Sequence, residues 1–361
     1  MKVNGVHHRS LWVRPDQGVE IIDQRVLPYT FATRVLRSES DVAEAIRTMA
    51  VRGAPLIGVA GAYGVALAMR ADSGDDNLAQ ACSRLDASRP TAVNLSWALD
   101  RMRAVLAPLP VAERADAAWR EAQRIADEDV ALNRAIGQHG ATLIAGIHAR
   151  TRRAVRVLTH CNAGWIATID FGTALSAIYQ AHDAGIPVHV WVDETRPRSQ
   201  GLLTAWELAA HGVPHSLIVD NAGGHLMQRG EVDLVLVGAD RVSARGDVAN
   251  KIGTYLKALA AHDNGVPFYA AVPSPTIDWR IEDGLADVPI EERAASEVRE
   301  VAGLDAAGQR VTVRIADEST PVSNPAFDVT PARLVTGIVT ERGIAPPGEL
   351  AALFPEHRRA A

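Results

Sequence analysis

The sequence predicts an α/β protein in which a parallel sheet flanked by helices follows a smaller, mainly helical region. From Arg153 onward, short apolar runs alternate with helical segments of ten or more residues, a pattern typical of parallel sheets. Before about His148, apolar residues recur mainly at helical spacing. The chain has 361 residues, more than a single hydrophobic core usually organises, so we expect two domains, 1–148 and 149–361.

The helical region is expected to begin with a short antiparallel ribbon. Apolar runs on either side of turn residues predict its strands within Ser10–Leu27. Val42, Ile46 and Met49 then recur at helical spacing, which predicts an amphipathic helix capped by residues 40–41. Further helical patterns cover 60–70, 95–106 and 111–147.

Five short apolar runs in the C-terminal region predict the strands of the parallel sheet. They are Val155–Leu158, Val188–Val192, Ser216–Val219, Leu234–Val237 and Phe268–Val272. Because parallel strands need crossover connections, their carboxyl ends meet at one edge of the sheet, where open α/β sheets bind ligands.

Polar or reactive residues follow each of these runs. They are Cys161, Asp193 with Glu194, Asp220 with Asn221, Asp240, and Pro273 with Ser274. One edge could collect them all. The alternative is that Asp and Asn after strands cap the following helix, and we expect at least half of them to do only that.

Cys161, in the stretch VRVLTHCNAG, is one of two cysteines in the chain. Its position after a strand suits a nucleophile or an acid–base group. Free cysteine is also among the most buried residue types, so a packing role is the alternative.

The segment RGAPLIGVAGAYG combines a basic residue with a predicted helix start. Pro55 suits the first turn, whose free N–H groups attract anions, and Gly53 permits close backbone approach. A phosphate cradle with Arg52 as countercharge is one interpretation. The other is a helix face built for close packing, which explains Gly58, Gly61 and Gly64 in either case.

A second polar segment precedes another predicted helix. It contains Arg196, Arg198, Ser199 and Gln200, a set suited to an anion or a hydroxyl ligand. A solvated loop is the alternative and is favoured for Arg198.

A third segment joins Asp240, at a strand end, to Asn250 and Lys251, which we expect at the start of a helix. An aspartate, an amide and a lysine together suit a phosphorylated sugar. We assign no chemical role to His160 or His225, because isolated histidines are more often structural.

Composition argues against several classes of partner. The formal net charge is -6, which gives no reason to expect nucleic acid binding. No stretch approaches 18 uninterrupted apolar residues and the N-terminus has no apolar signal region, so we expect a cytoplasmic protein without membrane contact. Two distant cysteines without a CxxC or Cys/His spacing predict neither a disulfide framework nor a metal site.

Nine motifs, in order between Arg52 and Pro331, resemble those of the methylthioribose-1-phosphate isomerase family. They are RGAPLIG, RPTAVNL, THCNAG, DETRPRSQG, VGADRV, GDVANKIGTY, TIDWRIEDG, IEER and NPAFDVTP. The resemblance implies a homodimer with a small N-terminal domain and a larger Rossmann-like C-terminal domain. It also implies conversion of 5-methylthioribose 1-phosphate to 5-methylthioribulose 1-phosphate in methionine salvage, without a metal or redox cofactor.

The resemblance assigns functional residues position by position. The substrate-binding residues that it implies are Arg52, Gly53, Ala54, Arg89, Gln200, Asn250 and Lys251. The catalytic residues that it implies are Cys161 and Asp240. The segments NAGGHLM and VPSPTIDW depart from the usual family pattern, which affects the choice of substrate more than the reaction type.

The implied chemistry explains these residue types. A sugar phosphorylated at C1 has a masked carbonyl, so the ring must open first, and a buried carboxylic acid such as Asp240 is the candidate to protonate the ring oxygen. Then either C2 loses a proton to the Cys161 thiolate, or hydride passes from C2 to C1 while Cys161 stabilises the positive charge.

Other substrates and one other class of protein remain open at this stage. Related enzymes act on 5-deoxyribose 1-phosphate or on ribose 1,5-bisphosphate, and the bisphosphate would need a second cationic pocket that no basic cluster beside the motifs indicates. The fold is also similar to regulatory subunits of the eukaryotic translation-initiation guanine-nucleotide exchange factor, which are not isomerases.

Overall fold

A computed structural model of the chain, which describes residues 1–3 and 5–357, begins with two small antiparallel sheets. Their strands are β1 (Lys2–Val3), β2 (Val6–His7), β3 (Leu11–Val13), β4 (Val19–Ile22) and β5 (Thr33–Leu36). The hairpin of β3 and β4 confirms the predicted ribbon, although the end of the predicted segment, near Leu27, is a turn. Strand β5 adds a third strand that the sequence pattern did not indicate.

Five helices complete the N-terminal region. They are α1 (Glu39–Arg47), α2 (Ala54–Ala71), α3 (Asp75–Ser88), α4 (Val93–Leu106) and α5 (Val111–Thr151). Helix α1 begins earlier than predicted, because Ser38 is its N-cap and Asp41 completes a capping box with it. Met49 lies just beyond the helix, in a left-handed conformation.

Helix α2 is the central helix of the N-terminal core. By length and composition it could cross a membrane, but 89% of its apolar window is buried within the chain. Its glycines allow close packing: a Cβ added at Gly58 would lie 2.7 Å from the carbonyl oxygen of Asn94, and one at Gly61 would lie 2.4 Å from Leu95. The packing interpretation of these glycines is therefore confirmed.

Helix α5 has 41 residues and belongs to both hydrophobic cores. Its first half packs through Ala118 and Ile125 into the N-terminal core. Its second half packs through Ile136 and Ile144 against the C-terminal sheet region. The domain boundary between residues 148 and 149 stays a prediction.

The C-terminal region contains a seven-stranded sheet, a four-stranded sheet and a hairpin. Its elements are β6 (Val155–His160), α6 (Ala174–Asp183), β7 (Val188–Asp193), α7 (Gln200–His211), β8 (His215–Ile218), α8 (Ala222–Gln228), β9 (Leu234–Val237), β10 (Arg241–Ser243), β11 (Val248–Lys251), α9 (Thr254–Asp263), β12 (Phe268–Ala271), β13 (Ile277–Asp278), α10 (Gly284–Asp287), α11 (Ala295–Arg299), β14 (Glu300–Leu304), β15 (Arg310–Arg314), β16 (Phe327–Thr330), β17 (Gly337–Thr340), β18 (Gly343–Ala345) and α12 (Leu350–Leu353).

The large sheet confirms the predicted parallel, Rossmann-like architecture. Its strand order is β18-β17-β12-β9-β6-β7-β8, and every pair is parallel except β17 with β18. All five predicted strands are present. The central strands β6 and β9 are buried on both faces, as expected for a parallel sheet with helical crossovers.

The smaller sheet has the order β13-β10-β11-β16 and lies beside the carboxyl edge of the large sheet. It corrects one expectation, because Asn250 and Lys251 end strand β11 and do not begin a helix. Strand β11 pairs with β16, where Asn250 is opposite Asp328 and Lys251 is opposite Phe327. A strand partner this distant in sequence overrides the local pattern.

Candidate active site

A cavity of about 640 Å³, including its opening to solvent, lies where the start of α2, the carboxyl ends of β6 and β9, and strand β11 converge. All nine residues predicted for the site line its wall. They are Arg52, Gly53, Ala54, Arg89, Cys161, Gln200, Asp240, Asn250 and Lys251. Their roles stay predictions, but their convergence makes this cavity the candidate active site.

The N-terminus of α2 forms one wall of the cavity. Gly53 is the N-cap with φ of +99°, and a Cβ there would lie 2.4 Å from the carbonyl oxygen of Ala167, so only glycine fits. Ala54 and Pro55 follow in the first turn. The first N–H groups of a helix have no intrahelical partner and attract anions, which suits a phosphate group.

Arg52 brings a buried positive charge to this wall. Its guanidinium donates to the side-chain oxygen of Asn162, and its Nε has no hydrogen-bond partner within the described residues. Burial lowers the pKa of Arg52, while the nearby Cys161 and Glu207 oppose that shift. An unpaired N–H donor on a buried cation is suited to an anionic ligand.

Glu207 holds Asn162 in place, a role that the sequence analysis missed. Its buried carboxylate accepts hydrogen bonds from Asn162 Nδ2 at 3.0 Å, the Trp165 N–H at 2.9 Å, the Ile166 N–H at 3.2 Å and the Tyr179 hydroxyl at 2.9 Å. The signal was present, since an acidic residue inside an apolar helical segment needs internal partners.

Cys161 follows the last residue of β6 in a left-handed conformation, with φ of +64°. The residue is half-buried and lines the cavity wall. Burial raises the pKa of this thiol, whereas the positive charges of Lys251 and Arg52 lower it. The thiol is thus held next to two cations in a site that otherwise disfavours the thiolate.

Asp240 follows strand β9. In the sheet, β9 lies on one side of β6 and β7 lies on the other. Burial raises the pKa of its carboxyl group above the ordinary value, and Lys251, Arg89 and Arg52, which we call the cavity cations, act against that rise. Its carboxylate has no hydrogen-bond or ion-pair partner in the described part of the chain. A carboxyl group in such a setting can keep its proton at a higher pH than an exposed one.

Lys251 and Asn250 reach the cavity from the end of β11. The Lys251 ammonium lies 4.5 Å from the centre of the Phe327 ring, and burial lowers its pKa. The Asn250 side-chain amide donates to the Thr254 hydroxyl at 3.0 Å, which fixes its orientation.

Arg89 and Gln200 complete the polar wall. Arg89 lies 3.5 Å from Glu291 of the IEER motif, whose carboxylate also binds Arg293 at 2.7 Å. The side-chain oxygen of Gln200 is buried and lacks a hydrogen-bond partner among residues 1–3 and 5–357. Gln200 therefore offers an acceptor to a ligand hydroxyl.

His160 lies on the cavity wall, although the sequence analysis gave it no role. Its Nδ1 is 2.6 Å from Asp193 and its Nε2 is 2.8 Å from the carbonyl oxygen of Ile252. Both ring nitrogens therefore have a hydrogen-bond partner inside the protein, which fixes the orientation of the ring. Asp193 also binds the Lys257 ammonium at 2.6 Å, so these side chains form a buried ionic cluster.

Several other predicted edge residues do not line the cavity wall. Asp220 uses its carboxylate to accept the Arg196 N–H at 2.9 Å, and Arg198 pairs with Glu297 at 2.7 Å. His225 lies in α8, away from the cavity. Within the described residues, no group of three or more His, Cys, Asp and Glu side chains could hold a metal ion.

Comparison with known proteins agrees with this geometry. A family model described as the Initiation factor 2 subunit family matches residues 50–347. The crystal structure of 5-methylthioribose 1-phosphate isomerase from Pyrococcus horikoshii OT3 is 41% identical, with a TM-score of 0.82 over 97% of this chain and 96% of that one. The crystal structure of translation initiation factor eIF-2B subunit delta from A. fulgidus is 39% identical, with a TM-score of 0.78 over 97% of this chain and 100% of that one.

Curated relatives are more similar still. The methylthioribose-1-phosphate isomerase of Brucella anthropi is 60% identical over 99% of this chain and 100% of its own length. That of Rhodospirillum centenum is 62% identical over 99% of this chain and 96% of its own length. The chain therefore belongs to the Initiation factor 2 subunit family and, within it, to the methylthioribose-1-phosphate isomerases.

Proposed function

We propose that the protein converts 5-methylthioribose 1-phosphate to 5-methylthioribulose 1-phosphate, an aldose–ketose isomerisation of methionine salvage. The observation that carries this proposal is the convergence of all nine predicted residues on one cavity wall. Relatives that carry the isomerase name are about 60% identical over nearly the whole chain, which supports the same reaction.

The phosphate group is bound by Arg52, Arg89 and the N–H groups at the start of α2. The unpaired Nε of Arg52 supports this assignment, as does the pairing of Arg89 with Glu291 at 3.5 Å, a distance longer than a normal hydrogen bond. Phosphate can replace Glu291 as the partner of Arg89. Binding this remote group supplies free energy that orients the sugar at the reacting centre.

The sugar is oriented by Gln200, Asn250 and Lys251. Gln200 accepts from a sugar hydroxyl through its unpaired amide oxygen. Lys251 is mostly buried, contacts the Phe327 ring and interacts electrostatically with the two proposed catalytic groups, Cys161 and Asp240. Its ammonium is suited to a phosphate or hydroxyl oxygen of the substrate.

Asp240 opens the ring as the general acid. Its proton goes to the ring oxygen, the bond between that oxygen and C1 breaks, and C1 becomes electron-deficient. The raised pKa of Asp240 supports this role, because the proton must still be present near neutral pH.

Cys161 acts at the second step by one of two routes. In the first, its thiolate accepts the C2 proton, and a proton returns to C1. In the second, hydride moves from C2 to C1, and the thiolate stabilises the positive charge that develops at C2. In both routes the C2 hydroxyl then gives up its proton to the Asp240 carboxylate, which forms the C2 carbonyl and returns Asp240 to its acid form.

Two other sugar phosphates are alternatives. A 5-deoxy sugar differs only by the small apolar methylthio group, for which discrimination is modest, about 10- to 200-fold for a methylene-sized change. For ribose 1,5-bisphosphate, a neighbouring cavity joins Arg196 and Arg198 of the second polar segment to Arg25 and Arg310, which the sequence analysis did not indicate. Asp23 and Glu297 pair with two of these arginines, and backbone carbonyls accept from Arg196.

Nuclear magnetic resonance of the purified protein tests the reaction. We expect proton and phosphorus spectra to record a ketose 1-phosphate from 5-methylthioribose 1-phosphate without added metal, faster than from 5-deoxyribose 1-phosphate or ribose 1,5-bisphosphate. No conversion of any of the three sugars would overturn the proposal. It would favour a regulatory protein, the class represented by the eIF-2B subunit delta structure.

The proposal includes a homodimer in the cytoplasm. Exposed apolar side chains at the edge strand β8 and on helix α9 support a contact with a second copy: Leu217 is 45% exposed, Val219 is 72% and Leu256 is 57%. Light scattering should give twice the chain mass for the wild type and a single chain mass for Leu256→Glu. Cell fractionation should recover the protein with soluble enzymes; recovery with membranes would contradict the assigned location.

A further inference from the structure

Cys161 and Thr195 share an unusual backbone conformation at the ends of two neighbouring parallel strands. Cys161 follows β6 with φ of +64°, and Thr195 follows β7 with φ of +70°. This left-handed region is strained for residues other than glycine, and most of all for β-branched ones such as threonine. Such residues persist only where surrounding contacts hold them.

A single hydroxyl group links these two residues. The Cys161 N–H donates to Thr195 Oγ1 at 2.9 Å, and the same hydroxyl donates to the carbonyl oxygen of Asp193 at 2.9 Å. The Thr195 side chain is fully buried, so no water replaces these bonds. Asp193 is in turn fixed by the ionic cluster with His160 and Lys257.

Thr204, on helix α7, holds the other side of Cys161. Its hydroxyl donates to the carbonyl oxygen of Cys161 at 2.8 Å and accepts from the Asn162 amide at 3.1 Å. The two threonine hydroxyls therefore bind the N–H and the carbonyl group of the same residue. Neither hydroxyl lies on the cavity wall, so neither is placed to touch a ligand.

We propose that Thr195 is a positioning residue that holds Cys161 in the left-handed conformation and so directs its thiol toward Lys251 and Arg52. The proposal rests on the function assigned to Cys161 above. Without the Thr195 hydroxyl, the Cys161 N–H loses its partner and the backbone can relax to an ordinary extended conformation. The thiol then moves away from the positive charges that favour the thiolate.

Alkylation of Cys161 by iodoacetamide, followed as a function of pH, shows at which pH the thiol becomes a thiolate. The measurement needs no sugar phosphate. The other cysteine, Cys82, is fully buried in the N-terminal core, so the reaction reports Cys161, and Cys161→Ser gives the background. The charged groups near the thiol are Arg52, just before α2, Lys251 from β11 and Asp240, just after β9; the titratable His160 is the preceding residue in β6. All of them are unchanged in the variants below.

Thr195→Val and Thr195→Ser are a matched pair, because valine keeps the shape and serine keeps the hydroxyl. In Thr195→Val we expect the pH midpoint of alkylation to move to higher pH and kcat for 5-methylthioribose 1-phosphate to fall about 10- to 100-fold, with KM nearly unchanged. In Thr195→Ser we expect both properties to stay near wild type.

A purely structural role for Thr195 predicts a different outcome. Thr195→Val would then melt at a lower temperature but keep the wild-type alkylation profile and kcat, and that result would overturn the proposal. If Thr195→Val does not fold, Thr204→Val removes the second hydroxyl and should shift the same midpoint. An unchanged pH midpoint in a folded Thr204→Val would count against the proposal that these hydroxyl groups position Cys161. If the wild type isomerises no sugar, the alkylation profiles still decide this proposal separately.

Discussion

Two aspartates, Asp193 and Asp240, lie on either side of β6 at the same edge of the sheet, yet their surroundings differ. Asp193 ends β7, is fully buried, and binds His160 and Lys257, each at 2.6 Å. Asp240 follows β9, faces the cavity, and has no partner in the described part of the chain. The same residue type after a parallel strand thus serves the internal structure in one case and is free for a ligand in the other.

This difference shows why position alone does not identify a catalytic acid. Both aspartates lie at the edge where parallel sheets bind ligands. For Asp193, the neighbouring charges are balanced within the protein. For Asp240, burial raises the pKa, and the nearby cavity cations remain available to a phosphorylated substrate.

The largest effect is expected for Asp240→Asn. Asparagine keeps the shape but has no proton to give at the ring oxygen, so kcat should fall about 10³- to 10⁴-fold. The melting temperature should change little, because the Asp240 carboxyl group has no hydrogen-bond or ion-pair partner to lose in the described part of the chain. Calorimetry and phosphorus spectra of the same sample check both statements. A variant with near-normal turnover would remove Asp240 from the mechanism.

Asp193→Asn should cause the largest loss of stability. It leaves the buried Lys257 ammonium without its countercharge and weakens the hydrogen bond at His160 Nδ1, which should lower the free energy of unfolding by about 3–5 kcal/mol. Urea unfolding measures this change. The matched control is Asp183→Asn, which breaks a surface pair with His211 and should change stability by less than about 1 kcal/mol. Equal effects of the two substitutions would contradict the account.

Arg89→Gln tests the cavity cations. Loss of a charge-assisted hydrogen bond to phosphate should raise KM about 10- to 100-fold, with a smaller change in kcat. Arg84 lies on α3, the helix whose C-cap is Arg89, and pairs with Glu39 of α1; Arg84→Gln should leave KM unchanged. Steady-state kinetics of both variants check this. An unchanged KM in Arg89→Gln would exclude Arg89 from phosphate binding.

The smallest effect concerns Asp129, a buried aspartate of α5 far along the chain from the catalytic residues. Burial raises its pKa to about 7. The folded state therefore holds a proton that the unfolded state releases near pH 4, so stability is full below pH 4 and decreases as the pH rises to about 7. In the wild type, the free energy of unfolding should fall by about 1 kcal/mol between pH 5 and pH 6, and Asp129→Asn should lack this fall. Urea unfolding at the two pH values measures both. Parallel pH profiles for the two proteins would contradict this.

The sequence predicted the parts of the molecule that depend on local pattern. The strands around Cys161 and Asp240 are apolar and β-branched, and the helix start at Gly53 carries its proline, so each was expected where the structure has it. The wrong expectation was a helix at Asn250 and Lys251, because β16, which pairs with them, lies more than 70 residues later.

The missed features are networks of residues that are distant in sequence. His160 meets Asp193 across 33 positions and Ile252 across 92, and Glu207 reaches Asn162 across 45. Hydrogen bonds of this kind depend on the completed fold, so a local pattern can indicate that Glu207 needs internal partners but cannot identify which residues they are. Most cavity residues were already candidates from their places at strand ends and helix starts, whereas Ala54 and Arg89 were found only because their motifs resemble a known family.

The pH dependence of kcat/KM for 5-methylthioribose 1-phosphate, in the wild type and in Asp240→Asn, tests the central claim most directly. If Asp240 donates the proton, wild-type activity falls as the pH rises through its raised pKa, because the deprotonated carboxylate cannot open the ring. The weak residual activity of Asp240→Asn should lack that decline. A variant that keeps the wild-type rate and the same decline would contradict the assignment of Asp240 as the acid.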